Sequence, residues 1–287
     1  MASMSALLKK HQETLNKALA ACATRESWTA YPESPSRKIH GEEVPQTAIH
    51  EYHSLLNNVF ELDQPGIQTY IGDEICPYTE MPLGVSYPSC DIDVLFEASH
   101  RARQKWCSGS SEERMGVCLE MLHRLGSAES LFLNAHSTVH TAGQSFIMAF
   151  AGCGANALDR GLEALAYAHK AVSDVPLTAR WNRHFGTAGE TSLEKRFRLV
   201  PRGTAIVITC ATFPQWNGYP AIVANILTGN SVILKPHPRT TLPVALFTRT
   251  MRAVLSDQGF DPNLITMAVD TTDEPITMQL VKHSDAA

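Results

Sequence analysis

No two cysteines in this chain stand at the two-residue spacing of a zinc or redox motif. The seven, at positions 22, 76, 90, 107, 118, 153 and 210, form an odd and scattered set that supports neither a disulfide framework nor a metal site. Reduced, partly buried thiols are expected. No run of about 18 apolar residues occurs, so no membrane-spanning helix and no membrane partner are expected. The opening MASMSALLKKHQETLNKAL becomes charged too soon to leave the apolar centre of a signal peptide, and a cytoplasmic protein is the expectation. Positive charge is not in excess: a formal net charge of -5 gives no electrostatic reason to expect nucleic acid. Any anionic ligand must be held locally. Self-similarity at roughly 20 to 50 residues is also missing, which excludes a solenoid. What remains is an ordinary globular composition, 44% hydrophobic and 18% charged, in 287 residues. That length suits one large α/β domain or two smaller ones.

Local patterns divide the chain. Residues 7 to 23 suit one amphipathic helix, and ESWTAYPESPSRKIHGEEVP after it is polar and proline-rich enough for a loop. From about 91 to 172 the pattern is helical. Its clearest start is Ser110 with Glu113, the capping-box spacing, after which Met115, Cys118, Leu119 and Leu122 fall on one face. Leu158, Leu162, Leu165 and His169 make a similar stripe, with His169 read as a core-edge histidine rather than a ligand. Residues 176 to 199 are polar, contain glycine and break the helical pattern, as a linker with a short β-hairpin would.

After Val200 strands and helices alternate. TAIVITC (204 to 210) reads as a buried strand, PAIVANILTG as a helix closed by Gly229, and SVILK (231 to 235) as a second strand. TLPVALFTRTMRAVLSDQG reads as a helix capped by Thr240 and ended by Gly259, and residues 264 to 269 as a third strand. This is the parallel α/β pattern, in which ligands lie at the carboxyl ends of the strands.

One motif is a decoy. GCGANA (152 to 157) satisfies GxGxxA, with Asp174 at the distance where a dinucleotide fingerprint places its acidic residue. That acid must end a second strand, whereas Asp174 ends a helical stretch and precedes Val175 and Pro176. SFIMAFA ahead of the glycines has one β-branched residue and suits a helix as well as a strand. A glycine-broken helix junction is the better reading.

PRGTAIVITCATFPQWNGYPAIVANILTGNSVILKP (201 to 236) resembles the start of the cofactor domain in the aldehyde dehydrogenase superfamily. There the pattern is proline, any residue, glycine, a strand, Pro-Trp-Asn-Phe-Pro, a helix, Ala-Gly-Asn, a strand and Lys-Pro. The helices around Trp106, Arg114 and 155 to 172 are similar too, so the resemblance covers roughly 90 to 287. WNGYP, KPHP and AVDTTDEPIT are most similar to a branch of the superfamily that works in phenylacetic acid degradation. The resemblance implies an α/β fold, with N-terminal helices followed by the first half of a Rossmann-like parallel sheet. It implies a division into an N-terminal extension (1–90), a helical part of the cofactor domain (91–175), a linker or hairpin (176–199) and a partial NAD(P)-binding domain (200–287).

In the family, the motif asparagine donates to the oxyanion formed when a cysteine thiolate attacks an aldehyde, and it stands 23 positions before the lysine of Lys-Pro. Counting back 23 from Lys235 reaches Thr212, while Asn217 falls five residues later, in the expected first turn of the helix. The Phe213-Pro214 match supports Thr212 as the donor, a hydroxyl in place of an amide. A turn-capping role for Thr212, with a backbone amide as donor, stays open. The resemblance further implies that Thr209, Cys210, Ala211 and Thr212, with Lys235 and His237, line a site for NAD or NADP, Lys235 reaching the adenosine ribose. The family's ribose-binding glutamate is replaced by Pro238. With Lys235, His237 and Arg239 close by, NADP is expected to serve at least as well as NAD.

The family's nucleophilic cysteine and general-base glutamate come after the point reached by VKHSDAA. The resemblance therefore implies the first part of a longer enzyme, oxidising a small-molecule aldehyde and forming homo-oligomers at full length. An uncovered sheet edge is expected in this part alone. A catalytically silent cofactor-binding or assembly subunit is the rival reading.

Overall fold

The computed structural model describes residues 5–287. The helix expected over 7 to 23 is two helices, α1 (Ala6–Lys10) and α2 (Gln12–Thr24). The chain leaves the helical path at His11, whose buried imidazole lies 2.7 Å from Glu120. That long-range contact has no trace in the local pattern. Two further helices, α3 (Arg37–His40) and α4 (Val44–Leu55), precede an antiparallel pair, β1 (Ile67–Ile71) and β2 (Tyr87–Cys90).

The helical region contains α5 (Ile92–Ser108), α6 (Ser111–Leu125) and α7 (Ala128–Ala142). Each starts on a short polar side chain that accepts a free amide: Asp91 from Val94, Ser110 from Glu113 and Ser127 from Ser130. The stripe Met115, Cys118, Leu119 and Leu122 is buried as the spacing required. α8 (Phe146–Met148) runs into a π-helical stretch over Ala149–Asn156 and then α9 (Ala157–Ser173). The decoy GCGANA is thus a helix junction, and Asp174 is the C-cap of α9. Its Gly152 has a structural purpose, because a Cβ there would lie 3.1 Å from the Phe213 ring.

β3 (Thr178–His184) and β4 (Glu190–Arg196) form an exposed antiparallel hairpin. β5 (Thr204–Ile208), α10 (Pro214–Leu227), β6 (Ser231–Lys235), α11 (Thr241–Asp257), β7 (Ile265–Met267) and α12 (Thr277–Lys282) follow. The sheet is parallel in the order β5-β6-β7. Val232 and Leu234 join the main core, whereas Ile233 points to the opposite face and packs with Leu95, Phe96, Ala268 and Leu280. Both faces are covered, which is why these strands read as continuous apolar runs.

Four local expectations shift. α10 begins at Pro214 rather than Pro220, which sits inside it; Pro214 suits the first helical position, where no amide is required. β5 ends at Ile208 instead of Cys210, because the chain turns there under the Asn217 side chain. Thr240 stands at the N-cap of α11 without capping it; its hydroxyl donates to Cys210 O at 3.3 Å. The sheet edges are also partly covered. Gln64 bonds both main-chain groups of Met267, at 2.7 and 3.0 Å, and Ala287 N donates to Thr204 O at 3.0 Å beside β5. Buried backbone groups need partners, and a single glutamine amide imitates a strand.

Candidate functional site

Residues 284–287 lie beside β5 on the side away from β6, with Ala286 bridged in parallel to Thr204. Connections therefore leave β5 in both directions, and its carboxyl end is a topological switch point. The residues there are Thr209, Cys210, Ala211 and Thr212, all expected from the sequence. Thr209 is buried, and its hydroxyl has no hydrogen-bond partner among the described residues. Cys210 is half-buried and its sulfur accepts from Phe213 N at 3.3 Å. Thr212 is exposed; its hydroxyl lies 3.8 Å from Cys210 Sγ, and its carbonyl accepts from Gln144 Nε2 at 3.4 Å. α10 starts from Phe213 with no side chain bonded to its first turn. The connection thus presents a weakly engaged hydroxyl and an uncapped helix start, groups that can bind an oxyanion or a phosphate.

Asn217 sits in the first turn of α10, and both ends of its amide are engaged. Nδ2 donates to Ile208 O at 2.9 Å, and Oδ1 accepts from Cys210 N at 3.2 Å. The side chain ties the helix to the last residues of β5 and fixes the turn that carries Thr212.

At the end of β6 the arrangement is different. Lys235 is buried, its Nζ 2.6 Å from Asp270 Oδ1 and donating to Pro236 O at 2.6 Å. Asp270 is buried as well, and its other oxygen accepts from Ile276 N at 3.0 Å. Lys235 is therefore paired with a neighbour within the protein. His237 is half-buried, and its Nδ1 accepts from Arg239 N at 3.2 Å. Burial, with the nearby Lys235 and Arg239 charges, holds His237 below its ordinary value, so it is uncharged at neutral pH. Two of the three cations expected to favour a 2′-phosphate are thus neutralised. Only exposed Arg239 is left.

The helix after β6 is plugged from far away in sequence. Glu74, buried, accepts from Leu242 N at 2.9 Å in the first turn of α11 and from the Tyr87 hydroxyl. Burial raises its carboxyl to about 7, against the opposing pull of the Tyr87 and backbone hydrogen bonds.

Sequence reasoning ran the first strand two residues too far, to Cys210, and left Thr212 beyond its carboxyl end, where the structure has it. It missed Asp270, although an acid directly after the apolar third strand was a usable signal. Glu74 and Gln144 offered none, since they reach the sheet from other parts of the chain.

An open parallel sheet with helices on both faces, a switch point and a polar loop at its first strand define a doubly wound, Rossmann-like α/β protein. The model of the aldehyde dehydrogenase family matches residues 71–287, and the chain belongs to that family. It is similar to an NAD-dependent aldehyde dehydrogenase from Burkholderia multivorans, at 39% identity and a TM-score of 0.94 over 99% of this chain. The chain spans about half of that structure, 50% of its length. The 1-pyrroline-5-carboxylate dehydrogenase of Thermus thermophilus (14% identity, TM-score 0.66, 91% of this chain and 48% of that one) shares the fold. So does the Mycobacterium tuberculosis Delta-pyrroline-5-carboxylate dehydrogenase (19%, 0.66, 89% and 45%). A search of curated proteins gives no match. No helix among the described residues is long and apolar enough to cross a membrane.

Proposed function

We propose that this chain supplies the cofactor and oxyanion elements of an NAD-dependent aldehyde dehydrogenase of the phenylacetic acid degradation protein PaaN type. The observation that carries the reading is the open β5–α10 connection at the switch point of a sheet 39% identical in its chain to an NAD-dependent relative. NAD, when bound, would supply the hydride acceptor of the oxidation. Thr209 to Phe213 and the start of α10 would hold its anionic part, with the unpartnered Thr209 hydroxyl as one donor. Thr212, exposed and only weakly engaged, donates its hydroxyl to the developing oxyanion. Asn217 holds the loop in place.

Cofactor choice follows from the β6 end. Lys235 is matched by Asp270, and His237 is uncharged at neutral pH, so little positive charge is left to favour a 2′-phosphate. NAD is therefore preferred over NADP, a reversal of the expectation from KPHPR alone. Calorimetric titration of the 287-residue chain with each cofactor tests both points. NAD should bind more tightly by at least about tenfold, or 1.4 kcal/mol. Equal or tighter NADP binding would refute the preference, and no binding of either would refute the site.

The β3–β4 hairpin supports self-association. Leu177, Phe185, Leu193 and Phe197 are all exposed on or beside it, and a hairpin this bare gains its stability from a second copy. The bonds of Gln64 to β7 favour the rival assembly-subunit reading to this extent: they cover an edge within the chain itself.

A further inference from the structure

A second group of reactive side chains lies outside the cofactor site. Cys76 opens the turn Cys76-Pro77-Tyr78-Thr79-Glu80, closed by Glu80 N donating to Cys76 O at 2.8 Å. Its sulfur lies 3.4 Å from Nδ1 of His140, in the last turn of α7. The His140 ring is oriented in turn by Tyr52 from α4, stacked on it at 4.9 Å and 16°. The turn is tied to the same helix end, because the Tyr78 hydroxyl reaches Gly143 O at 2.9 Å and Gln144 O at 3.1 Å. A nucleophile, a base within reach and a third group fixing the base together form the arrangement that activates a thiol.

The electrostatics agree with this geometry. Burial pushes the Cys76 thiol up, but hydrogen bonds from the Thr79 hydroxyl and the Tyr78 and Thr79 amides outweigh it and hold the thiol below its ordinary value. Burial, with His53 nearby, keeps His140 below its ordinary value too, so the imidazole is neutral and able to take a proton. His136, on the same helix and also facing Tyr52, is held down to about 4 by burial and by its histidine neighbours, so it adds no competing charge. Cys118 and Cys153 show the contrast: burial raises each to about 12.

We propose that Cys76 and His140 form a modification site for small hydroperoxides. The thiol proton passes to His140 Nδ1, and the thiolate attacks the terminal peroxide oxygen. The sulfur–oxygen bond forms as the oxygen–oxygen bond breaks; sulfur is oxidised by two electrons to the sulfenic acid. The leaving oxygen takes the proton back from His140 and departs as water or an alcohol. Cys76 is only 5% exposed, so the site favours a small oxidant and shields the thiol from bulky disulfides.

Treatment of the full 287-residue chain with stoichiometric hydrogen peroxide, trapping with dimedone and peptide mass mapping tests this. The adduct should form at Cys76 at least about tenfold faster than at Cys210 or Cys107. His140→Asn should slow the Cys76 reaction about tenfold at neutral pH and leave the Cys210 rate unchanged, which also reports that the variant is folded. Thiolate absorbance against pH gives a second measure: a step below the ordinary thiol range should vanish in Cys76→Ser. Earlier labelling at Cys210 or Cys107, labelling of Cys76 only in urea, an unchanged rate in His140→Asn, or an intact absorbance step would each overturn the proposal.

Discussion

The two βα connections at the carboxyl edge of the sheet satisfy their polar groups differently. After β5, α10 starts with no side chain bonded to its first turn, and the Thr212 hydroxyl is exposed. After β6, Glu74 accepts from the first turn of α11, and Lys235 is closed against Asp270. Adjacent parallel strands share one topology, so fold alone assigns both ends to ligand binding. Burial separates them. A buried charge must be paired inside the protein, and once paired it has little to offer a ligand. The β6 end is therefore closed within the protein, while the β5 end keeps donors available for a ligand.

The largest effect should come from breaking the sealed side. Lys235→Met leaves the Asp270 carboxylate buried and alone, and should lower unfolding stability by about 3 to 5 kcal/mol in urea titrations. Pairing it with Asp270→Leu should recover most of that loss. A single variant of near wild-type stability would show that the pair does not seal this end.

On the open side, the proposed oxyanion role predicts that Thr212→Ala in the active enzyme should lower kcat by about 100-fold, and at most about 1000-fold, the usual range for an oxyanion donor. Its unfolding midpoint should not move, because the side chain is exposed and makes only a 3.8 Å contact. A loss of stability without a loss of turnover would exchange the roles assigned to the two connections.

Glu74 gives the sealed side a pH signature. Its carboxyl is raised from an ordinary 4.5 to about 7, so folding favours the protonated form. The stability this adds is fully present below pH 4.5 and is lost as pH rises through about 7. Glu74→Gln keeps an acceptor for Leu242 N and cannot ionise. It should match the wild type near pH 4.5 and exceed it by up to about 3 kcal/mol at pH 8. Histidines such as His136, whose titration falls with opposite sign, cancel in that difference. Parallel curves for the two proteins would mean that the carboxyl is not buried as described.

The smallest effect belongs to Asn217→Ala. Losing its bonds to Ile208 O and Cys210 N should cost about 1 to 2 kcal/mol of stability, with a far smaller change in kcat than at Thr212. A greater loss of turnover at Asn217 would return the oxyanion role to the asparagine.

Local sequence was sufficient where local physics decides. The run of apolar β-branched residues in SVILK defined β6 to the residue, Ser110 capped α6, and the missing second strand before Asp174 ruled out the glycine fingerprint. The family pattern, counted back 23 positions from Lys235, implied Thr212 in the loop and Asn217 in the helix, and the structure has Thr212 before α10 and Asn217 in its first turn. The availability of each group was decided only by tertiary structure. Whether Lys235 meets a ligand or a carboxylate depends on Asp270, 35 residues later, and the start of α11 is closed by Glu74, 168 residues before Leu242. Such pairings leave no periodicity in the chain. They exist because a charge or a backbone amide removed from water must find a partner, and the packing of distant segments determines which partner is within reach.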